Sequence, residues 1–377
     1  MGLLVQMKHL YATRNCSWHS LGSSKGDFLL QYASQAYRLL GGGESILFQP
    51  SGPVVTSDDH QSLTLSFYSG GTSGKPEVVK HNEHNIASSV SGLVGRIGSS
   101  PIGSFCCLPL WHVGGWMQLE RAWETGGQVV FGDYRDLLKT KNHDVLVGKW
   151  ISLVPTQLHE LLKSQTATDC LLRAKGIFIG GAAMNTHLIQ KSRSLALPIF
   201  PCYGSSETAG MVTLLSSDSF LNLIDGVGEA LAHASIRINE TNQKIEIRSS
   251  SLCLSRGDDN FPADSWLKTP DLGYIGGGGS LVITGRSDRI INSGGEKIQP
   301  EVIENVLISS GLIEQCMAHG EPHEKWGECV VVSICPTGVK LDELKKIVKK
   351  ELPLHMQPKI WRTMDALPLS DMGKRKN

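Results

Sequence analysis

Short apolar runs that alternate with helix-length segments constrain the fold of this chain more than any other feature. Ile151 to Val154 and Ile177 to Ile179 are strand-sized, and a segment long enough for a helix lies between them. Such alternation is typical of α/β proteins, in which apolar strands are buried in mostly parallel sheets. With 377 residues, the chain is long enough for two or more domains. Similar runs are Phe105 to Leu110, Val129 to Phe131 and Ile199 to Phe200.

The pattern changes in the second half of the chain. From about Asp225 to Ile283 the pieces are shorter and alternate in polarity, which predicts a small β subdomain. After Asp288 the order of helix, strand, strand and amphipathic helix predicts a separate α+β lobe. We expect an α/β N-terminal domain over residues 1–285, with a reduced first subdomain and the β subdomain at about 225–285. A small mobile C-terminal domain, 286–377, would follow, with its hinge near Asp288.

Composition excludes several classes of partner. Lys plus Arg and Asp plus Glu each total 36, so the net charge indicates neither nucleic acid nor an anionic membrane. The nine cysteines show no C-x-x-C spacing, which favours reduced thiols over a zinc site. The longest apolar stretches, such as Cys329 to Cys335, are far shorter than the roughly 20 residues of a spanning helix. With no secretory signal at Met1 to Leu10, we expect no membrane span and a cytoplasmic location.

A Gly-rich loop follows the first clear strand, Leu63 to Phe67. Its glycines let backbone N–H groups approach an anion, and its hydroxyls add donors, so it is typical of a phosphate-binding loop. A Walker A loop is excluded, because Ser69 and Pro76 stand where that motif requires Gly and Ser or Thr. Taken alone, the segment fits a flexible turn equally well. The loop is Ser69-Gly70-Gly71-Thr72-Ser73-Gly74-Lys75.

A second polar segment follows the run that ends near Phe200, and so should lie where ligands bind in open α/β sheets. Tyr203 can stack on a base, Ser206 can reach a phosphate, and Glu207 offers the hard oxygen that Mg²⁺ prefers. The alternative is an ordinary loop with a helix N-cap at Ser205 or Ser206. The segment is Tyr203-Gly204-Ser205-Ser206-Glu207-Thr208.

Three further segments carry charged groups in the last third of the chain. Asp271, in Thr269 to Gly273, can accept hydrogen bonds from both hydroxyls of a ribose, and Arg286 offers forked donors. Asp288 lies where the β subdomain meets the last lobe. Lys374 follows Gly373 near the C-terminus. Separately, each of these could be a structural turn or a solvated surface charge.

Together the five segments, in this order, resemble the adenylate-forming superfamily of acyl-CoA synthetases, adenylation domains and luciferases. The resemblance runs from about Leu63 to Lys376 and includes the long run Gly285 to Glu304. It implies that the chain uses ATP and Mg²⁺ to activate a carboxylic acid as acyl-AMP. The acyl group would then pass to coenzyme A.

The resemblance also implies the roles of individual residues. Lys374 would be the adenylation lysine, and Glu207 would be catalytic as the holder of Mg²⁺. The loop Ser69 to Gly74 would bind the ATP phosphates. The remaining nucleotide and coenzyme A positions are Tyr203 with Gly204, Ser205 and Ser206 around adenine and phosphate, Gly180, Gly181 and Ala182 beside adenine, Asp271 and Arg286 at the ribose, Asp288 at the hinge, and Gly294 and Gly295 at the coenzyme A channel.

Acyl selectivity is expected from Pro109 to Trp116, which resembles the acyl-pocket motif of the family and contains His112. For a lone histidine, a core position bonded to backbone is the alternative. The residues around Trp111 and Gly180 are most similar to the 2-succinylbenzoate:CoA ligases of menaquinone and phylloquinone synthesis. The resemblance leaves a homodimer open.

The sequence departs from the family pattern in the phosphate loop. The family loop usually ends Pro-Lys-Gly, whereas Glu77 and Val78 follow Pro76 here, so an anion replaces a cation; Lys75 or Lys80 could compensate. Gly70 replaces a usual serine. Three alternatives therefore stay open: another aryl or fatty acyl-CoA ligase, an adenylation enzyme that loads a carrier protein, and a nucleotide-binding pseudoenzyme.

Overall fold

The computed structural model describes residues 17–56, 63–69, 76–98, 101–336 and 338–367. Within these ranges the strands form four sheets, and helices pack against them. None of the helices in this part of the chain combines the length and the apolar character that crossing a membrane would require.

Several helices begin where a polar side chain satisfies a free N–H group of the first turn. The Ser23 hydroxyl accepts such a bond at the first helix, and Asn82 and Asn85 form a reciprocal capping box at the second. The α-helices of the described ranges are α1 (Ser24–Gly41), α2 (Glu83–Ile97), α3 (Val113–Thr125), α4 (Pro155–Leu161), α5 (Gln165–Leu171), α6 (Thr186–Ser194), α7 (Ser217–Leu221), α8 (Pro300–Ser309) and α9 (Leu341–Glu351).

The strands are short, and those of the N-terminal sheets are mostly buried. In chain order they are β1 (Ser17–Ser20), β2 (Ile46–Phe48), β3 (Val54–Val55), β4 (Thr64–Ser69), β5 (Glu77–Asn82), β6 (Ser104–Cys106), β7 (Gln128–Phe131), β8 (Trp150–Leu153), β9 (Gly176–Ile179), β10 (Ile199–Ser205), β11 (Gly210–Leu214), β12 (Glu229–Ala230), β13 (Ala234–Ile238), β14 (Lys244–Ser249), β15 (Ser255–Arg256), β16 (Asp259–Asn260), β17 (Leu267–Ile275), β18 (Leu281–Arg286), β19 (Ile291–Ser293), β20 (Glu296–Ile298), β21 (Gln315–His323), β22 (Gly327–Cys335) and β23 (Ile360–Thr363).

The largest sheet has eight strands in the order β1-β7-β6-β8-β9-β10-β11-β12. All pairs from β1 to β10 are parallel, whereas β11 pairs antiparallel with both β10 and β12. The predicted α/β class with a mostly parallel sheet is confirmed. Because neighbouring parallel strands end at one edge, β9 and β10 bring the segments Gly180 to Ala182 and Tyr203 to Thr208 to the same side of the sheet.

The second N-terminal sheet adds antiparallel pairing, in the order β16-β15-β5-β4-β2-β3. Strands β4 and β5 form a hairpin in which Ser69 lies opposite Glu77. Strand β5, between the Gly-rich loop and α2, was not identified from the sequence. The strand was missed because its polar residues conceal the apolar signal, although Val79 and His81 are both fully buried.

Two smaller sheets complete the structure. Strands β13-β14-β17-β18 form an antiparallel sheet inside the predicted β subdomain, and Gly276 to Gly279 lie in the turn between β17 and β18. The C-terminal lobe contains β20-β19-β22-β21 with β23 beside β22. Its core, which includes Ile303, Val332 and Leu344, is a hydrophobic cluster of its own. A domain boundary at 285/286 and a hinge near Asp288 stay predictions.

Candidate functional site

Strand β10, which includes Tyr203 to Ser205, changes partners along its length. Its first residues pair with β9, and its last residues pair antiparallel with β11, with a bulge between Tyr203 and Gly204. A Cβ on Gly204 would lie 1.8 Å from the carbonyl oxygen of Gly210, so only glycine permits this close approach.

Tyr203, Asp271 and Arg286 form one hydrogen-bonded chain, although they are far apart in sequence. The Tyr203 hydroxyl donates to Asp271 Oδ2 at 2.7 Å, and Arg286 Nη1 donates to Asp271 Oδ1 at 3.1 Å. Arg286 also donates to both carboxylate oxygens of Asp288, at 3.0 and 2.7 Å. The structure therefore brings together three residues predicted at the base and ribose and the residue predicted at the hinge.

The register of β17 and β18 explains this group. Asp271 and Arg286 are direct cross-strand partners, so their side chains share one face of the small sheet. Burial, reinforced by the carboxylate of Asp271, raises the pKa of Tyr203 well above its ordinary value, so the phenol remains a donor at neutral pH. A carboxylate has about four lone-pair sites. Asp271 thus keeps acceptor capacity for ligand hydroxyls.

His81 holds the turn after Tyr203 in place, and the sequence analysis missed it. The imidazole is fully buried, and its Nε2–H donates to the backbone carbonyl of Ser206 at 2.7 Å. Burial lowers the pKa of His81 to about 4, so the ring is neutral in the folded protein. A lone histidine in a polar stretch gives no sequence signal for such a contact, because its partner lies 125 residues away.

We expect His81 to make stability fall in mild acid. The unfolded histidine has a pKa near 6.5 and the folded one near 4, so the unfolded state binds more protons between these values. Its contribution is fully present above about pH 6.5 and is lost as the pH falls toward 4, by up to about 3 kcal/mol. Urea unfolding at several pH values should show a shallower decline in His81→Gln than in the wild type. The exposed control His187→Gln should keep the wild-type slope, and an equal slope in all three proteins would contradict the prediction.

Glu207 lies at the same turn, partly accessible, with 15% of its side chain exposed. Its Oε1 is 3.4 Å from Arg256 Nη1, and its backbone carbonyl accepts from the N–H of Cys253. The described residues include no cluster of three or more metal-ligating His, Cys, Asp or Glu side chains. A single accessible carboxylate fits Mg²⁺, which commonly binds one or two carboxylates together with substrate phosphates.

The loop Gly180 to Ala182 follows β9 and lies next to β10. A Cβ on Gly180 would meet the Sγ of Cys202 at 2.9 Å, and Gly181 has a φ of +80°. Gly181 and Ala182 are exposed. Glycine therefore lets the loop pass close to the strand that carries Tyr203.

Several predicted residues are not brought into this group. Ser69 is buried at the end of β4, but Gly70, Gly71, Thr72, Ser73, Gly74 and Lys75 lie outside the described residues, as does Lys374. Gly294 and Gly295 form the turn between β19 and β20 in the C-terminal lobe, where the N–H of Gly294 donates to the carbonyl of Trp326 at 2.9 Å. Their assignment to a coenzyme A channel stays a prediction.

His112 stands at the N-cap of α3 without capping the helix through its side chain. Its ring lies 6.1 Å from that of Trp111. A Cβ on Gly115 would lie 2.1 Å from the carbonyl oxygen of Pro109, so the glycine lets the helix start against the preceding chain. The predicted acyl-pocket segment is thus the entry to α3.

The same helix carries an unforeseen cation, Arg121. Its side chain is 4% exposed, and its guanidinium lies over the ring of Phe178 at 5.5 Å. A Cβ on Gly210 would lie 3.8 Å from Nη2. The guanidinium therefore reaches the start of β11, three residues after Glu207.

Arg121 is unusual because its charge is buried without an acidic partner in the described part of the chain. The titratable groups that act on its charge there are the thiols of Cys106 and Cys202. Burial lowers the pKa of Arg121 to about 10, so it is still a cation at neutral pH. Buried charges are normally paired. The arrangement suits an anionic group of a ligand.

Comparison with known proteins gives the family. The model of the AMP-binding enzymes matches residues 12–250, and that of the AMP-binding enzyme C-terminal domain matches residues 302–374. The chain belongs to the AMP-binding enzyme family. This confirms the relationship inferred from the five segments. The segment from Tyr203 to Glu207 lies inside the first matched region.

Similar members of the AMP-binding enzymes include 2-succinylbenzoate–CoA ligases. The one from Enterococcus faecalis is 25% identical over 332 residues, which are 84% of this chain and 68% of the relative. The one from Bacillus cytotoxicus is 28% identical over 343 residues, 85% of this chain and 70% of the relative. The chain thus spans about two thirds of the length of these relatives.

A solved structure shows the same architecture. O-succinylbenzoate coenzyme A synthetase from Bacillus subtilis, in complex with ATP and magnesium ion, superimposes with a TM-score of 0.69 at 25% identity. The match covers 82% of this chain and 68% of the other. The amide bond synthetase McbA of Marinactinospora thermotolerans, at 20% identity and a TM-score of 0.69, shares the fold.

Proposed function

We propose that this chain uses ATP to activate 2-succinylbenzoate as an acyl-AMP and transfers the acyl group to coenzyme A, as in menaquinone or phylloquinone synthesis. The names of the similar ligases and the bound ATP and magnesium ion of the Bacillus subtilis protein support this reaction. The proposal includes a cytoplasmic location, where ATP and coenzyme A are available. A homodimer stays a prediction, which sedimentation analysis can test.

Arg121 is the observation that carries the choice of acid. 2-Succinylbenzoate has two carboxylates, one of which reacts while the other needs a partner. A buried guanidinium that faces no acidic side chain of the described residues, close to the turn after Tyr203, supplies that partner. The aromatic ring of Phe178 beside it suits the benzoyl group. A simple fatty acid would leave this charge unpaired.

The nucleotide would lie along the edge formed by β10 and the small sheet. Tyr203 would stack on adenine, and Asp271, held by Arg286, would accept hydrogen bonds from the ribose hydroxyls. Glu207 would hold Mg²⁺, which supplies positive charge for the departure of pyrophosphate. Gly180 to Ala182 would border adenine, and the loop Ser69 to Lys75 would bind the phosphates.

The reacting carboxylate and the α-phosphate repel each other, so cations must lower this barrier. Lys374 would lie between the two anions and offset the developing charge. For the second step we propose that the C-terminal lobe rotates about Asp288, so that Gly294 and Gly295 border the path of the coenzyme A thiol. His112 would line the acyl pocket at the entry to α3.

The first test is pyrophosphate release from Mg-ATP with 2-succinylbenzoate, benzoate or a medium-chain fatty acid, each with and without coenzyme A. We expect release and thioester formation with 2-succinylbenzoate, at a kcat/KM at least about 100-fold above that for benzoate, because a site built to pair a polar group discriminates strongly against an analogue that lacks it. Chromatography of the thioester product identifies the acyl group.

Other results would select among the alternatives. Activity with a different acid would keep the enzyme class and overturn the substrate. Pyrophosphate release without thioester formation would indicate an enzyme that loads a carrier protein. ATP binding without turnover of any acid would favour a pseudoenzyme. The departures from the family pattern at Glu77 and Gly70 in the phosphate loop support this alternative.

A further inference from the structure

Arg256 lies where the phosphate loop rejoins the sheet. Strand β15 pairs with β5, so that Arg256 is opposite Val79, and the N–H of Gly257 donates to the carbonyl of Val78. Glu77 is the first residue of β5. The backbone therefore fixes Arg256 beside the position at which the loop departs from the family pattern.

The guanidinium of Arg256 is surrounded by three carboxylates. Nε is 3.4 Å from Glu77 Oε2, Nη1 is 3.4 Å from Glu207 Oε1, and Nη2 donates to Asp259 Oδ2 at 3.1 Å. The side chain is 29% exposed, so solvent screens these pairs only in part. Arg256 thus connects the residue that replaces the loop lysine to the proposed Mg²⁺ ligand.

The residues around Arg256 must be compatible with the negative charge of the ATP polyphosphate. Without Arg256, the carboxylates of Glu77, Glu207 and Asp259 would lose the cation that each of them contacts, and uncompensated like charges repel one another and a bound polyphosphate. Lys80 is also near in sequence, but it lies in the middle of β5. In the described ranges, Arg256 is the cation that contacts both Glu77 and Glu207.

We propose that Arg256 takes the place of the missing loop lysine. Glu77 and Asp259 orient its guanidinium beside Glu207, and from there Arg256 provides positive charge to the β- and γ-phosphates of ATP. Arg256 would thus bind the polyphosphate directly and also orient Glu207. This inference rests on the proposed ATP-dependent function, but it concerns nucleotide binding and not the acid.

The test compares nucleotides that differ only in their phosphates. We expect Arg256→Gln to raise the Kd of Mg-ATP, measured by calorimetry without any acid, by about 10-fold, since one charge-assisted hydrogen bond contributes on this order. The Kd of adenosine should stay the same, because adenosine lacks the polyphosphate. Arg256→Lys should recover most of the ATP affinity. Arg237→Gln, which removes the ion pair between the exposed Arg237 and the buried Glu246, is the control and should bind both ligands as the wild type does.

A charge relocation provides the second arm. In the double variant Glu77→Lys with Arg256→Gln, the cation returns to the family position, and we expect the Kd of Mg-ATP to return to within about threefold of the wild-type value. Thermal unfolding of each variant verifies the fold.

An unchanged Kd of Mg-ATP in Arg256→Gln would overturn the proposal. An equal loss for ATP and adenosine would also overturn it, because it would indicate a structural role. A double variant that binds no better than Arg256→Gln would contradict the replacement of the lysine. If the wild type binds Mg-ATP but activates no acid, the proposed function fails while the binding arm still tests Arg256.

Discussion

Replacing Arg121 with methionine is expected to lower kcat/KM for 2-succinylbenzoate by about 100-fold. The guanidinium is buried beside Phe178 and the start of β11, so a carboxylate that pairs with it is shielded from water. Removing one partner of such a pair commonly costs roughly 2 to 5 kcal/mol, and every 1.4 kcal/mol is about tenfold. Steady-state pyrophosphate release at varied acid concentration measures the effect.

Two controls define what the Arg121 result means. The Kd of Mg-ATP should not change, since the proposed nucleotide contacts come from Tyr203, Asp271 and Glu207. The exposed Arg135→Met, which removes an ion pair with Glu160 of α4, should retain full activity. Thermal stability of Arg121→Met should be equal or higher, because methionine has no charge to desolvate. Undiminished use of 2-succinylbenzoate by this variant would show that another group binds the second carboxylate.

The second large effect is expected for Lys374→Ala. If Lys374 offsets the charge that develops between carboxylate and α-phosphate, its removal should slow acyl-AMP formation by about 100- to 1,000-fold, the usual effect of losing one electrostatic stabiliser. Single-turnover quenching, with chromatography of the acyl-AMP, measures this step directly. Conversion of added acyl-AMP and coenzyme A to the thioester should proceed near the wild-type rate, because the proposed rotation of the lobe would move Lys374 away before this step.

Lys376→Ala is the matched control, since it removes a lysine two residues further along the same terminus and should leave both steps intact. Equal acyl-AMP formation in Lys374→Ala and the wild type would assign the catalytic charge to the wrong residue. Equal losses in both half-reactions would instead indicate that the variant disturbs the lobe as a whole.

The parts of the site that form one continuous segment of the chain were easier to predict from the sequence than contacts between distant segments. The segment from Tyr203 to Glu207 was expected to follow a buried strand, whereas Tyr203 to Ser205 are the last residues of β10 and pair with β11. Asp271 and Arg286 were assigned to the ribose only through resemblance to a family. Their 3.1 Å contact depends on the register of β17 and β18, which no local pattern encodes.

The residues missed by the sequence analysis share one property, which is that each acts on a partner distant in sequence. His81 bonds to Ser206, and Arg256 reaches both Glu77 and Glu207. Arg121 lies on α3, and the packing of this helix against the large sheet buries it. A single histidine or arginine carries no periodicity and gives no sign of what it contacts.

From local patterns the sequence determined the α/β class and the order of the five segments, because strand-sized apolar runs, glycines and side-chain donors act locally. The chemistry of adenylate formation was implied by the resemblance of those segments to a family. The tertiary structure decided the antiparallel hairpin of β4 and β5, the chain from Tyr203 to Arg286, and the surroundings of Arg121 and Arg256. These depend on strand register and burial, which are set by long-range packing, and packing determines whether a charge is solvated, paired or kept for a ligand.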